Sequence, residues 1–68
     1  MEHGRNYMSI EETSEFTGLS RGHLASLRFT GEGPKYYALT PRAIRYKLSD
    51  VVEWIESSAR TGTSQVAA

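Results

Sequence analysis

The pattern of polar and apolar positions after residue 8 predicts a short first helix from about Ile10 to Thr17. Ser9 precedes it as a potential N-cap, and Glu12, three residues later, can reach back to complete a capping box. Gly18 follows the helix and favours the left-handed conformation that ends helices. We therefore expect the helix to begin and end at positions fixed by local side chains.

A second helix is predicted from Ser20 to about Arg28 or Phe29, with Ser20 as its N-cap. Leu24 and Leu27 form its apolar stripe. Only two residues separate the first helix from this second cap, so the helices must cross steeply, as in a helix-turn-helix unit. At about 100° per residue, the residues that point most directly away from the stripe are Gly22, Ala25 and Ser26.

Residues 35–47 have the period-two alternation of a β-hairpin. In its second strand, Ile44 and Tyr46 alternate with Arg45 and Lys47, which predicts one apolar and one basic face. Thr40-Pro41-Arg42 forms a connection of hairpin length and places Arg42 at the tip. The preceding segment, Thr30–Pro34, contains two glycines and a proline and is predicted to be a turn.

A third helix is predicted over about Asp50 to Ser58, with Ser49 as its cap. Val51, Trp54 and Ile55 are spaced as one apolar face. Trp54 is the largest apolar side chain, and we expect it to be the centre of the core; base stacking is the functional alternative. The predicted fold class is mainly α with a small β-hairpin.

Sixty-eight residues are enough for one small domain. We expect residues 1–8 to be a flexible N-terminal arm, residues 9–58 the folded domain, and residues 59–68 a flexible C-terminal tail. There is no cysteine, so disulfides and thiolate metal sites are excluded. No signal-peptide pattern or membrane-length apolar run is present. These features predict a soluble, cytoplasmic protein.

The formal net charge of zero hides a separation of charge along the chain. Residues 21–47 contain six basic residues and one acidic residue, whereas the segments on either side are net acidic. A basic block that begins at a helix-turn-helix pattern indicates a nucleic-acid surface. A solvated basic face is the simpler alternative. We expect the cations from Arg21 to Lys47 to converge on one surface.

The candidate site is therefore a binding surface. Arg21 and Arg28 flank one side of the second helix, and His23 lies on the other, where a plain exposed histidine is the alternative. Metal ligation is not expected, because His3 is the only other histidine and no ligand spacing accompanies it. The sequence shows no combination of a nucleophile, a general base and a residue that orients the base, so catalysis is not expected. We expect no cofactor, small-molecule ligand or membrane partner.

Three segments in this order resemble the excisionase and AlpA-like group of small winged-helix proteins, relatives of the MerR DNA-binding domain. They are S-I-E-E-T-S-E-F-T-G-L-S-R at 9–21, G-E-G-P at 31–34 and R-A-I-R-Y-K-L-S-D-V-V-E-W-I at 42–55. The resemblance implies a winged helix-turn-helix fold. The groove-reading helix would correspond to Ser20, Arg21, Gly22, His23 and Ser26, with Arg28 at its end. The wing would correspond to Arg42, Arg45 and Lys47, with Lys35 at its start.

The resemblance also implies a function. Members of this group either direct a phage integrase toward excision, binding repeated sites cooperatively and bending the DNA, or act as small transcription regulators. The resemblance implies double-stranded DNA, a site-specific integrase and further copies of the chain as partners, and a bacterial or phage-infected cell as the setting. Since the 68 residues hold no effector domain, an excisionase is the preferred interpretation. An AlpA-like transcription regulator is the alternative with the same fold. A basic module that binds a protein and not DNA is the alternative from a different functional class. Thr13 and Thr17 depart from the group's aliphatic residues, which predicts weaker packing of the first helix; Gly22 stands where a hydroxyl is common.

Overall fold

The computed structural model describes residues 6–60. In chain order these residues form β1 (Tyr7–Met8), α1 (Ile10–Thr17), α2 (Arg21–Thr30), β2 (Tyr37–Thr40), β3 (Ala43–Lys47) and α3 (Leu48–Ser57). The strands form an antiparallel sheet in the order β1-β3-β2. The central strand β3 contacts α1, α3 and both other strands, so the molecule is built around it.

The predicted capping box at the start of α1 is confirmed. The backbone N–H of Ser9 donates to Oε1 of Glu12 at 2.9 Å, and the N–H of Glu12 donates to Oγ of Ser9 at 3.1 Å. Gly18 ends the helix in the left-handed conformation at φ 81°. Both ends of α1 are therefore fixed by residues close to them in the sequence.

The second helix also begins at its predicted cap. Oγ of Ser20 accepts the N–H of His23 at 3.0 Å, and Leu24 is fully buried. The helix continues to Thr30, beyond the predicted end, and stops at Gly31, whose φ of 78° is left-handed. The additional residues matter because they determine the direction of Phe29, as described below.

Hydroxyl groups hold the corner between α1 and α2. Oγ of Ser14 donates to the carbonyl of Leu19 at 2.6 Å, and Oγ1 of Thr17 donates to the carbonyl of Thr13 at 2.8 Å and accepts the N–H of Leu19 at 3.2 Å. Thr13 is fully buried, and its hydroxyl donates to the carbonyl of Ser9 at 2.8 Å. The two threonines are therefore paired with the main chain, which a buried hydroxyl requires.

The hairpin has the predicted alternation of faces. Ala38 pairs with Ile44 and Tyr37 pairs with Arg45, with an irregularity between Ala38 and Thr40. Only two residues, Pro41 and Arg42, separate the strands. Tyr46 is fully buried on the core side of β3, so its neighbours along the strand lie on the opposite face.

The predicted flexible arm is wrong for its last two residues. Tyr7 pairs with Lys47 and Met8 pairs with Tyr46 in a short antiparallel ladder, and Met8 is buried. Residues 1–5 of the predicted arm and residues 61–68 of the predicted tail lie outside the described residues. The folded unit therefore begins before residue 9, because β1 pairs with the edge of β3 opposite β2.

Tyr46, and not Trp54, occupies the centre of the core. Met8, Tyr46 and Val51 form the buried cluster, with Ile10, Ile44 and Leu48 packed against it. Trp54 is half-buried, and its indole Nε1–H donates to the carbonyl of Glu32 at 3.0 Å. The prediction of a central Trp54 is thus wrong: its ring holds the loop after α2 against α3.

The predicted cap of the third helix is also wrong. The helix begins at Leu48, directly after β3, so Ser49 lies inside its first turn. Lys47 occupies the N-cap position and makes no side-chain cap bond. No helix among residues 6–60 is both long and apolar enough to cross a membrane. Three helices with a small antiparallel sheet confirm the predicted winged helix-turn-helix fold.

Candidate nucleic-acid interface

One face of α2 is open to solvent along its whole length. Gly22, Ala25 and Ser26 are exposed on the side opposite Leu24, as predicted. Apart from its own helix, no described atom lies within 4 Å of a Cβ placed on Gly22, so the face is uncovered at this position. Such a narrow, uncovered helix surface fits a major groove, which admits one α-helix.

Sequence reasoning missed one residue of this face. Phe29 lies seven residues after Gly22, three after Ser26, and is 92 % exposed. The prediction placed the helix end at about Arg28 or Phe29 and counted only Gly22, Ala25 and Ser26 as the outward positions, so Phe29 was not assigned to this face. Gly31 was the available signal, because a left-handed glycine after Thr30 would extend the helix by a further residue.

The N-terminal end of α2 combines a side-chain cap with a cation. Because the first amide groups of a helix lack intrahelical partners, those of Arg21 and Gly22 can face an anion. Nη1 of Arg21 lies 3.5 Å from Oε2 of Glu11 on α1, and both side chains are about two-thirds exposed. His23 is exposed beside them. An ion pair this exposed is weak, so Arg21 can exchange the glutamate for a phosphate at low cost.

Arg28 is directed toward the sheet. Its Nη1 donates to the hydroxyl of the buried Tyr46 at 2.7 Å, and its guanidinium lies 5.8 Å from the ring centroid of Tyr36. These contacts join α2 to the hairpin and fix their relative orientation. The predicted DNA contact of Arg28 stays a prediction, and the contacts that the structure shows for it are internal.

The four predicted wing cations lie in different settings. Arg42 is exposed at the hairpin tip, and Lys35 is exposed in the loop before β2. Arg45 is half-buried, and its Nη1 donates to the neighbouring carbonyl of Ile44 at 2.9 Å. Lys47 lies at the other end of β3, about 17 Å from Arg42 at the hairpin tip by strand geometry.

The position of Lys47 does not match the expectation that the cations from Arg21 to Lys47 share one surface. It lines a groove with residues of α3, among them Glu53 and Glu56, and with Asn6. Two carboxylates beside this groove disfavour a phosphate there. The structure therefore brings Arg21, His23 and the small residues together on α2 and places Arg42 exposed at the tip. Arg28 is directed toward the sheet, and Lys47 lies beside the carboxylates of α3.

Among residues 6–60, no group of three or more histidine, cysteine, aspartate or glutamate side chains is placed to hold a metal ion. The described surface offers a capped helix end, an exposed helix face of a width that suits a groove, and exposed cations.

The fold and this surface define a winged helix-turn-helix protein of the kind that binds double-stranded DNA. A family model described as a helix-turn-helix domain matches residues 7–59. The chain belongs to this family, which includes excisionase-like and AlpA-type DNA-binding proteins and is typically non-enzymatic. The match begins at Tyr7, where β1 begins. A search of curated proteins found no match.

Proposed function

We propose that this protein binds double-stranded DNA sequence-specifically, with α2 in the major groove. The observation that carries the proposal is the uncovered outward face of α2, where Gly22, Ala25 and Ser26 allow close approach to base edges. Ser20 caps the N-terminal end of α2, which enters the groove first, so the free amide groups of that end face the phosphates. Arg21 and His23 flank the same end and are within reach of neighbouring bases.

The hairpin supplies contacts to the DNA backbone. Arg42 at the tip is exposed, and a flexible cation in this position can follow the phosphates or enter the minor groove. Arg45 adds positive charge about 10 Å from Arg42 along β3. Lys35 adds it at the other end of the hairpin, in the loop before β2. Arg28 acts by holding α2 against the sheet through Tyr46, so that the helix and the tip approach the duplex together.

Within this activity, we propose an excisionase-type role: the protein bends attachment-site DNA and steers a site-specific integrase toward excision. Support comes from the resemblance carried by residues 9–21, 31–34 and 42–55 and from the family match. A protein of this kind acts through the shape that it imposes on the duplex, and a hairpin pressed on the backbone beside a helix in the groove is suited to that.

Binding is tested with the full chain by selecting duplexes from a random pool and titrating the enriched sequence and a scrambled one at several salt concentrations. About four phosphate contacts predict a log–log salt slope of roughly −3 to −4. Arg42→Ala should weaken both duplexes equally, whereas Ser26→Ala and His23→Ala should change which sequence is preferred. Equal losses on both duplexes for all three variants would contradict the division between base reading and backbone contact.

The excisionase role is tested separately, on attachment-site DNA with its integrase. Phase-sensitive gel migration should show a bend, and added protein should raise excision and leave integration unchanged or reduced. Specific binding without a bend or an effect on recombination would instead favour a transcription regulator. A flat titration at low salt, with a protein partner retained at high salt, would favour a protein-interaction module.

A further inference from the structure

The C-terminal half of α2 presents an apolar ring that folding does not require. At 92 % exposed, Phe29 is the most exposed large apolar side chain among residues 6–60; the next is Leu39 at 67 %. An exposed ring contributes little burial to stability, since it remains in water in the folded state. Its surface is available for burial against something outside the chain.

The location of Phe29 indicates where that burial takes place. It follows Ala25 by four residues and Ser26 by three, so all three share the outward face of α2. The residues beside it are engaged elsewhere: Arg28 donates to Tyr46, and the hydroxyl of Thr30 donates to the carbonyl of Leu27 at 3.3 Å. This end of the helix therefore offers an apolar contact and few free hydrogen-bonding groups.

We propose that Phe29 recognises thymine through its 5-methyl group, an inference that rests on the proposed placement of α2 in the major groove. The thymine methyl is the apolar group that base pairs expose in the major groove; the other features of their edges are donors and acceptors. A phenyl ring placed against those polar groups would remove their water without replacing its hydrogen bonds, which is unfavourable. Phe29 thus selects a methyl-bearing pyrimidine at its position.

Helix geometry gives the approximate place of that base. Seven residues at 1.5 Å put Phe29 about 10 Å along the axis from Gly22. At 3.4 Å for each base step, this distance corresponds to about three base pairs. The recognised thymine should therefore lie about three base pairs from the base nearest the N-terminal turn of α2.

The experiment removes one methyl group at a time. The full chain is titrated by fluorescence anisotropy with the duplex enriched from a random pool and with duplexes in which single thymines are replaced by deoxyuridine. Loss of the contacted methyl should weaken binding by about fourfold, which follows from about 0.8 kcal/mol for each buried carbon. Phe29→Ala should bind the enriched duplex more weakly and no longer distinguish thymine from uracil there.

Phe16 offers a matched control. It is a phenylalanine on α1 that is 50 % exposed and lies off the groove-facing helix. Phe16→Ala should retain the fourfold preference for thymine. Phe29→Leu, which keeps an apolar side chain, should retain part of it. Circular dichroism should show the same helical content for Phe29→Ala and wild type, since the ring is exposed.

Three results would overturn the inference. One is a wild-type protein indifferent to uracil at every position of a duplex that it binds specifically. The second is a Phe29→Ala variant with undiminished preference for thymine. The third is a Phe29→Ala variant that loses a self-association visible by sedimentation, which would place the ring in a protein contact. A pool that enriches no sequence would contradict the proposed function itself, and this inference with it.

Discussion

The two sides of this small domain are held together by different forces. At the corner between α1 and α2, the hydroxyls of Ser14 and Thr17 bond to the main chain. On the sheet side, Met8, Tyr46 and Val51 bury apolar surface against one another. Hydrogen bonds set geometry at modest net energy, whereas apolar burial is the main source of stability. The corner therefore specifies shape, and the sheet side supplies most of the stability.

The surface proposed to bind DNA belongs to neither set of contacts. Gly22, Ala25 and Phe29 face solvent, and Arg42 lies at the hairpin tip. Arg28 is the exception, because its bond to Tyr46 links the helix that carries the binding face to the core. Stability and DNA binding should consequently be separable by mutation nearly everywhere except along this link.

The largest expected effect tests whether the core centres on Tyr46. Tyr46→Ala removes a fully buried ring and should cost about 3–5 kcal/mol. Because a domain of this length is stable by only a few kcal/mol, we expect the variant to be largely unfolded by far-ultraviolet circular dichroism at 25 °C. Tyr46→Phe keeps the ring and loses the bond to Arg28, and should cost about 1–2 kcal/mol in urea titrations.

Trp54→Ala provides the comparison for this prediction. The ring is half-buried, so its removal should destabilise the domain less than Tyr46→Ala does. If Trp54→Ala lowered the free energy of unfolding more than Tyr46→Ala does, Trp54 and not Tyr46 would be the centre of the core.

The features that could be predicted from sequence are those whose partners are close along the chain. The capping box of Ser9 and Glu12 spans three residues, and the left-handed Gly18 acts on the turn beside it. Propensity and spacing are sufficient for such contacts, because the chain cannot place these groups far apart. The outward face of α2 was predictable for the same reason.

The features that were missed depend on distant parts of the chain. Alternation placed Tyr46 on the apolar face of its strand, but it does not reveal that Tyr46 and not Trp54 lies at the centre of the core. Tyr46 does so because β3 has Met8 on one side and Arg28 reaching toward its hydroxyl. Ser49 was a reasonable cap by residue type, but β3 leads directly into α3 and leaves no loop for it. The directions of Arg28 and Lys47 likewise follow from tertiary packing.

The second prediction compares two glycines, one on each kind of surface. A Cβ on Gly33 would lie 2.8 Å from Cβ of Leu27, so Gly33→Ala forces the loop away from α2 and should cost about 1–3 kcal/mol. Gly22 has open space in an exposed helix, so Gly22→Ala should stabilise by about 0.5–1 kcal/mol. Urea titration measures both, and the same sign for both variants would contradict the contact geometry.

The fluorescence of the single tryptophan sharpens the Gly33 result. The indole N–H of Trp54 bonds to the carbonyl of Glu32, next to the substituted residue. Displacement of the loop should break this bond and shift the emission of folded Gly33→Ala, while the emission of Gly22→Ala stays as in wild type.

The third prediction concerns the hydroxyls of the corner. Ser14→Ala leaves the carbonyl of Leu19 without its 2.6 Å donor in a partly buried position and should cost about 0.5–1 kcal/mol. Ser57→Ala removes a bond of similar length to the carbonyl of Trp54 in an exposed position. Since water replaces that bond, Ser57→Ala should change the free energy of unfolding by less than about 0.5 kcal/mol. Equal losses would mean that the partial burial of the corner does not strengthen the contribution of its hydroxyl bond.

The smallest effect on stability, close to zero, is expected at the hairpin tip. Arg42 is exposed, and its side chain has no hydrogen bond or ion pair among the described contacts, so Arg42→Ala should unfold at the wild-type urea concentration. On DNA, the loss of one phosphate contact should reduce the steepness of the log–log salt dependence by about 0.9. Arg60→Ala is the matched control, because Arg60 follows α3 and donates to the carbonyl of Ser58. It removes the same charge from the chain and should leave the slope unchanged. If both variants reduce the slope equally, net charge and not position governs binding, and the hairpin tip has no particular role at the duplex.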